Sequence, residues 1–483
     1  MEELPTAQET ILSEASSSTE TETKPQIVES DDIFSVLGNK ANDRDPDANS
    51  GAVKLPPAPQ SISDLGLSSS FLMELAMKIV RFMDGPTSDQ VARGMGLTTA
   101  LTQEIIEQLK ADRLCEVIGG GSYDLPGRYK LRLTDKGEER AEQALERCRY
   151  AGAAPVPIEQ YERTLAPVLS ERLRPSRDAV RHALENLVLN PETSDLLERA
   201  LCSGRTSMVY GPSGNGKTHL LTEFVRTLEG EILCPRAIYA YGQIVRIYDK
   251  LVHDVVDDRS DETNGDVGRK SEEIDDHRWV KIRRPGLIMG GEVTAESLEL
   301  GYDPIARFYQ APKHLKAQGG VLVIDDFGRQ KVAPEVLLDR WIMALERGRD
   351  NLMLRTGENI DVPFSMTILL STNIDPTELA DAAHLRRIFY KAYVPPVAPD
   401  QFKEIVRGML VEAGIDSPEE HLDQAIAYLS ETTSGNLSGS LPRDLVSIVV
   451  DNAEHDGKTP DFDIVSVKLA YKQFTGTAGR DVV

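Results

Sequence analysis

Cysteine is scarce in this chain: Cys115, Cys148, Cys202 and Cys234 are the only four among 483 residues, and they form no CxxC pair or Cys/His cluster. That spacing excludes a disulfide framework and a zinc site, and the thiols read as reduced and structural. No run of eighteen uninterrupted apolar residues occurs, so no membrane insertion is expected. The start, Met1-Glu-Glu-Leu-Pro5, lacks the basic flank and apolar core of a secretory leader, which points to a cytoplasmic protein. Positive charge is also short, with 54 Lys+Arg against 78 Asp+Glu and a formal net charge of -24. This balance argues against nucleic acid or anionic membrane binding over the surface as a whole, while leaving room for a local basic patch. Core-forming material is plentiful: with 40% hydrophobic residues over this length, two or three domains are expected.

Residues 1–60 hold twelve Asp+Glu and four Lys+Arg, a Ser/Thr tract from Ser16 to Thr23, and Pro56, Pro57 and Pro59. Such a segment buries too little apolar surface to offset its ordering entropy, and a disordered acidic tail is expected. The pattern changes over 61–148. Phe71, Leu72, Leu75, Ala76, Ile79, Val80 and Met83 fall at helical spacing. A short helix from Thr87 to Met95, a turn at Gly96-Leu97-Thr98 and an amphipathic helix carrying Leu101, Ile105 and Leu109 follow. A strand (Leu114 to Ile118), a glycine loop (Gly119 to Gly121), a second strand (Tyr129 to Leu133) and a helix capped by Thr134 complete the order of a winged helix. The phrase Leu133-Thr-Asp-Lys-Gly137 is similar to the strand-to-helix junction of many bacterial winged-helix regulators. From Leu65 to Arg147 there are eleven basic and thirteen acidic residues. The outward positions of the expected recognition helix include Glu104, Glu107 and Gln108, with only Lys110 positive, where groove entry needs Arg or Lys. Two uses stay open: contact with a protein, which the charge favours, and contact with DNA through Arg128, Lys130 and Arg132.

Residues 149–190, with prolines at 155, 157, 167 and 175, read as a linker ending in a short helix, Arg177 to Leu189. Past Pro191, the residues Gly211, Pro212, Ser213, Gly214, Asn215, Gly216, Lys217 and Thr218 match GxxxxGK[ST] without a mismatch. The apolar run Thr206 to Tyr210 precedes them and the apolar-periodic stretch Leu220 to Leu228 follows. A glycine-rich turn from strand to helix points backbone N–H groups inward and adds the positive end of the helix dipole, which together make an anion nest. With His219, these residues are the candidate nucleotide ligands. Lys217 would reach the β- and γ-phosphates of ATP, and Thr218 would ligate Mg²⁺. Farther along, Gly319 to Gly328 reads as a short buried strand ending in two carboxylates. Asp325 would hold the Mg²⁺ hydration shell and Asp326 would polarise the attacking water, because hydrolysis needs an oriented water and neutralised phosphate charge more than covalent help. Met366 to Asn373 is another apolar strand, whose terminal amide can hold the lytic water without competing as a charge. A predicted helix, Pro376 to Arg387, closes on Arg386 and Arg387 before a strand from Tyr390 to Val394. Leu441 to Leu445 opens a helix in an all-helical tail, where Arg443 could lean on nucleotide from a lid.

In this order the motifs resemble those of an AAA+ ATPase, over roughly 191–476. The resemblance implies an α/β fold: a parallel P-loop sheet at 191–398 with a helical lid at 399–476 and a short tail at 477–483, preceded by the winged helix and the acidic tail. It further implies an ATP hydrolase using Mg²⁺ and working as a homo-oligomer, a hexameric ring. Asn373 then corresponds to sensor 1, Arg443 to sensor 2, and Arg386 or Arg387 to an arginine finger lent to the neighbouring subunit. A solvated helix end would equally explain Arg386 and Arg387, and an ordinary surface arginine Arg443. Asp326 stands where many members have Glu, and the shorter side chain implies slow hydrolysis. Arg278 to Glu292 and a hairpin around Arg355 to Glu358 are similar to insertions of the MoxR-like and enhancer-binding branches. That likeness implies a pore-facing role for Met289 to Val293, while a buried hairpin explains the same residues. His253 to Asp276, with ten acidic and three basic residues, reads as a solvated surface insertion. The whole arrangement also resembles a bacterial winged-helix AAA+ group sometimes labelled as pilus-assembly ATPases. Remodelling of a protein client is the expected work; a DNA loader or transcription regulator, or a slow nucleotide switch, are the alternatives.

Overall fold

The computed structural model describes residues 53–119, 130–169, 172–185, 187, 189–256 and 275–477. The expected tail up to residue 52, Arg128 with its glycine loop, and 257–274 of the acidic insertion lie outside them. Ordered chain begins earlier than the composition of 1–60 suggested. Ala58 is buried, and Pro57 bridges Asp275.

An N-terminal module contains α1 (Ser69–Phe82), α2 (Ser88–Met95), α3 (Thr99–Ala111), β1 (Cys115–Gly119), β2 (Lys130–Leu133) and α4 (Asp135–Arg147). Its helix starts follow the capping chemistry of the sequence. Thr87, Thr98 and Thr134 each accept a backbone N–H from three residues on, and Gln90 closes a capping box with Thr87. Gly137 sits where a Cβ would meet the Leu114 carbonyl oxygen at 1.9 Å, so close packing of β1's entry against α4 demands glycine there.

Beyond the module the chain runs through β3 (Val156–Pro157), α5 (Ile158–Leu169), α6 (Arg177–Leu184) and α7 (Pro191–Cys202) into β4 (Ser207–Tyr210) and α8 (Lys217–Arg226). The span read as a linker is therefore packed chain, with Val156, Tyr161 and Leu165 all buried. Next come β5 (Glu231–Pro235), β6 (Ala237–Ala240), β7 (Gln243–Arg246), β8 (Trp279–Arg283) and β9 (Gly286–Met289). They are followed by β10 (Gly301–Asp303), β11 (Phe308–Gln310) and β12 (Val321–Ile324). After α9 (Pro334–Arg347) a hairpin of β13 (Arg349–Met353) and β14 (Asn359–Pro363) leads to β15 (Thr367–Thr372) and β16 (Tyr390–Tyr393). The end is helical: α10 (Pro399–Glu412), α11 (Glu419–Thr432), α12 (Leu441–Asp456) and α13 (Ile464–Phe474).

Two five-stranded sheets organise these pieces. The first has the order β16-β4-β15-β12-β9, with every pairing parallel. Its central strands read as unbroken apolar runs because helices cover both faces, and β12 and β15 are buried at every position. The second has the order β10-β11-β7-β6-β3, with the antiparallel pair β5-β8 beside it in sequence. Sequence reading did not foresee this second sheet. Its strands are two to four residues long, and two of them lie beyond β9, so no local period marks them.

The structure bears on two expectations. Met289 ends the edge strand of the parallel sheet at 1% exposure and Val293 is fully buried, as the buried reading of this stretch requires, while Gly291 and Glu292 between them are exposed. At the margins of the acidic insertion the two end residues are interior, while Asp254, Val255 and Asp275 are exposed. His253 is buried and pairs with the Lys316 carbonyl at 2.9 Å, and Asp276 is buried against Arg278 at 2.7 Å. Arg278 also donates to Gln160 on α5, while its Nη1 has no partner. Arg278 thus ties the chain entering β8 to α5.

Removing one member of such a pair strands a buried charge. Asp276→Ala is expected to cost about 3–5 kcal/mol, read from urea unfolding midpoints. Replacing both residues with apolar ones of similar volume should recover most of that loss.

Candidate nucleotide-binding site

The parallel register decides where the polar residues fall. Ile324 pairs with Leu370, and Leu370 with Met208, so β12, β15 and β4 run side by side and end along one edge. The turn after β12 carries Asp325 and Asp326, the end of β15 carries Asn373, and β4 opens into the glycine loop. That loop curls through positive φ at Gly211 (142°), Gly214 (79°) and Gly216 (76°). A Cβ on Gly214 would come within 2.3 Å of Ser438 Oγ, because the loop before α12 lies directly against it.

Lys217 begins α8 and is 6% exposed, donating Nζ to the carbonyls of Gly211 (2.8 Å) and Pro212 (2.7 Å). Burial pulls its amine below the ordinary lysine range, and the charges of Asp326 and Asp325 push it back. Thr218 Oγ1 donates to Asp325 Oδ1 at 3.1 Å, and Asn373 Nδ2 lies 3.4 Å from Asp326 Oδ1. Asp326 itself has φ of +50°, a conformation that costs a non-glycine residue energy and is held by its surroundings.

A cavity of about 530 Å³ joins these groups. Ser213 through His219, Asp326, Ser371, Asn373 and Arg443 line its polar side. Leu187, Leu189, Val394, Val397, Ile405 and Met409 form an apolar wall opposite. His219 and Thr218 are exposed toward it from the first turn of α8. Arg443, in the first turn of α12, reaches it with a side chain 73% exposed. Asp325 stands behind Thr218 and is not itself on the cavity wall.

Arg386 and Arg387 lie elsewhere and touch no part of this cavity. Arg387 is committed within the chain, with Nε on Glu346 at 2.8 Å and Nη1 on the Ala383 carbonyl at 2.6 Å. Arg386 is exposed and its side chain has no hydrogen bond or ion pair among the described residues.

Sequence reading named Asn215 but not its bridging role, and it missed Gln330 and the apolar wall. Gln330 Nε2 donates to the carbonyls of Asp325 (2.9 Å) and Asp326 (3.1 Å), while its Oε1 accepts from Gly328 N (2.8 Å), so one side chain staples the turn. Asn215 bridges core and lid, donating to the Pro395 carbonyl at 3.0 Å and accepting from Gly439 N at 3.2 Å. The apolar wall comes from α10 and from the approach to α7. Only the Gly/Ser-rich stretch Ser434 to Ser440 was a visible signal, since it marks a loop able to lie on another backbone.

No family model matches the chain, and no curated protein matches it. Among solved structures it is similar to domain III of the replication initiation protein DnaA from Thermotoga maritima. That match has 15% identity over 60% of this chain and 95% of that one, with a TM-score of 0.34. It is similar to a P216G mutant of Thermotoga maritima RuvB at 13% identity over 63% and 74%, TM-score 0.33. NtrX from Brucella abortus matches at 14% identity over 72% and 64%, TM-score 0.36. Likeness this distant assigns neither fold nor activity, which rest on the residues around the glycine loop.

Proposed function

We propose that the chain is an AAA+ ATPase that hydrolyses ATP to ADP and phosphate in a homo-oligomeric ring, a hexamer. One observation carries the reading: Lys217, the Thr218–Asp325 pair and the Asp326–Asn373 pair converge at one strand edge beside a cavity with an apolar wall. The glycine loop's N–H groups and Lys217 Nζ suit a triphosphate, and the wall of Leu187, Ile405 and Met409 suits a purine ring. Thr218 hydroxyl and Asp325 carboxylate are hard oxygen donors and fit Mg²⁺, which when bound would neutralise phosphate charge.

In this reading Asn373 orients a water and Asp326 accepts its proton. The new P–O bond forms as the bond from the γ-phosphorus to the bridging oxygen breaks, and the proton passes to solvent. Gln330 holds the turn that aims Asp326. Arg443 meets the phosphates from the lid, and Asn215 relays loop position to that lid. Arg386 is the better candidate for lending positive charge to a neighbour's site, since Arg387 is spent on Glu346.

Residues 61–148 are read as a winged helix that contacts a protein client. Two observations favour that use over DNA: Lys110 is paired with Glu107 at 3.0 Å and Arg132 with Glu116 at 2.7 Å. Two of the four cations that the sequence offers to DNA, Lys110, Arg128, Lys130 and Arg132, are thus paired with carboxylates. Among the described residues no helix is long and apolar enough to cross a membrane.

Lys217→Ala should abolish binding of fluorescent ATP, whereas Asp326→Asn should bind normally and lose phosphate release by at least about a hundredfold. Equal turnover by both variants and the parent would refute the assignment. A mixing experiment tests the shared site: Arg386→Ala and Asp326→Asn, each inactive alone, should recover turnover when combined. Arg387→Ala should retain activity and lose some thermal stability.

A further inference from the structure

The surplus of acid makes unpaired cations conspicuous, and one place gathers four of them. A cavity of about 540 Å³ opens where the segment 149–153 crosses the second sheet, lined by Arg149, Arg236, Arg246, Lys250, Tyr248 and Phe308 among others. The one carboxylate on its wall, Asp249, is taken by Lys316 at 2.8 Å. None of the four cations has an acidic partner among the described residues.

The two arginines are already oriented. Arg236 sits over the ring of Tyr248 at 5.6 Å, and that ring stacks on buried His253 from behind at 5.8 Å. Arg246 sits over Phe308 at 6.0 Å. Each guanidinium is also anchored through Nε, Arg236 on the His277 carbonyl at 3.3 Å and Arg246 on Gln310 Oε1 at 2.9 Å. Their Nη groups have no acceptor among the described residues, which leaves two fixed forks matched to oxyanions. Both charges are felt by the buried Tyr150 phenol, which burial raises and Arg236 and Arg246 pull back down, so they face the same interior.

We propose that this cavity binds the phosphate backbone of a nucleic acid strand. All four cations are solvent-exposed, so the site is open enough for a chain to pass. The aromatic faces are covered by the protein's own arginines, leaving no platform for base stacking, and contact is with phosphates and indifferent to sequence. The site shares no lining residue with the nucleotide site and adjoins the N-terminal module, since Tyr150 and Phe308 on its wall pack into that module's hydrophobic core.

The test is fluorescence anisotropy of a labelled oligothymidine with the full chain in ADP, across a salt series. Four phosphate contacts give a log–log slope of about -3 for a single strand. Arg236→Gln with Arg246→Gln should weaken binding by about tenfold or more at low salt and flatten the slope by about 1. Arg149→Ala with Lys250→Ala, whose side chains support nothing in the fold, should flatten it equally. Lys110→Ala with Arg132→Ala should leave the curve unchanged, and the cavity variants should bind ADP as the parent does, which separates this site from the glycine loop. Absence of parent binding at low salt, or binding that neither cavity variant alters, overturns the proposal. Displacement by inorganic pyrophosphate as effective per phosphate as by oligothymidine also overturns it, in favour of a small phosphorylated ligand.

Discussion

Parallel pairing of β4, β15 and β12 is the constraint on which the site depends. In a parallel sheet all strands finish on the same side, so residues far apart in sequence are delivered to one edge without any long-range recognition between them. Asp325 and Asp326 directly follow the apolar run of β12, while Asn373 follows the end of β15 and Lys217 closes the glycine loop after β4. The sheet's interior supplies the rest, since Val321, Leu322, Val323 and Ile324 have no other place to be buried.

That edge is completed from two directions. Gln330 closes the turn behind Asp326 and holds it at positive φ, while the Ser438-to-Ser440 loop closes over Gly214, with Ser440 N donating to the Gly214 carbonyl at 2.9 Å. Glycine at 214 is thus required twice, for its dihedral angle and for the lid's approach. The glycine loop is tied through Asn215 to the entry of α10 and to the loop before α12, since its amide touches both.

Charge is distributed as unevenly as chemistry. In the N-terminal module Lys110 and Arg132 are paired with acidic neighbours, whereas the second sheet concentrates cations backed by aromatic rings, and the carboxylate beside them, Asp249, is held by Lys316. A whole-chain charge of -24 therefore says little about any one face. Local pairing decides which cations remain available, because an exposed ion pair has already spent its field.

The glycine loop, the carboxylate pair, Asn373 and the capped helices of the N-terminal module were legible in the sequence, because each depends on short-range rules: a turn that needs glycine, an apolar run that ends in a polar residue, a threonine three residues before an amide. The second sheet, the packing of 149–169, the interior position of Met289, Val293 and Asp276, and the difference between Arg386 and Arg387 were not. Those features arise from contacts between segments with no shared period or spacing, such as β3 with β6 or Arg387 with Glu346. Composition and local pattern therefore determined which elements form and which residues could meet a phosphate. Only tertiary packing decided which faces are buried, which charges are already paired, and which side chains are left free to act.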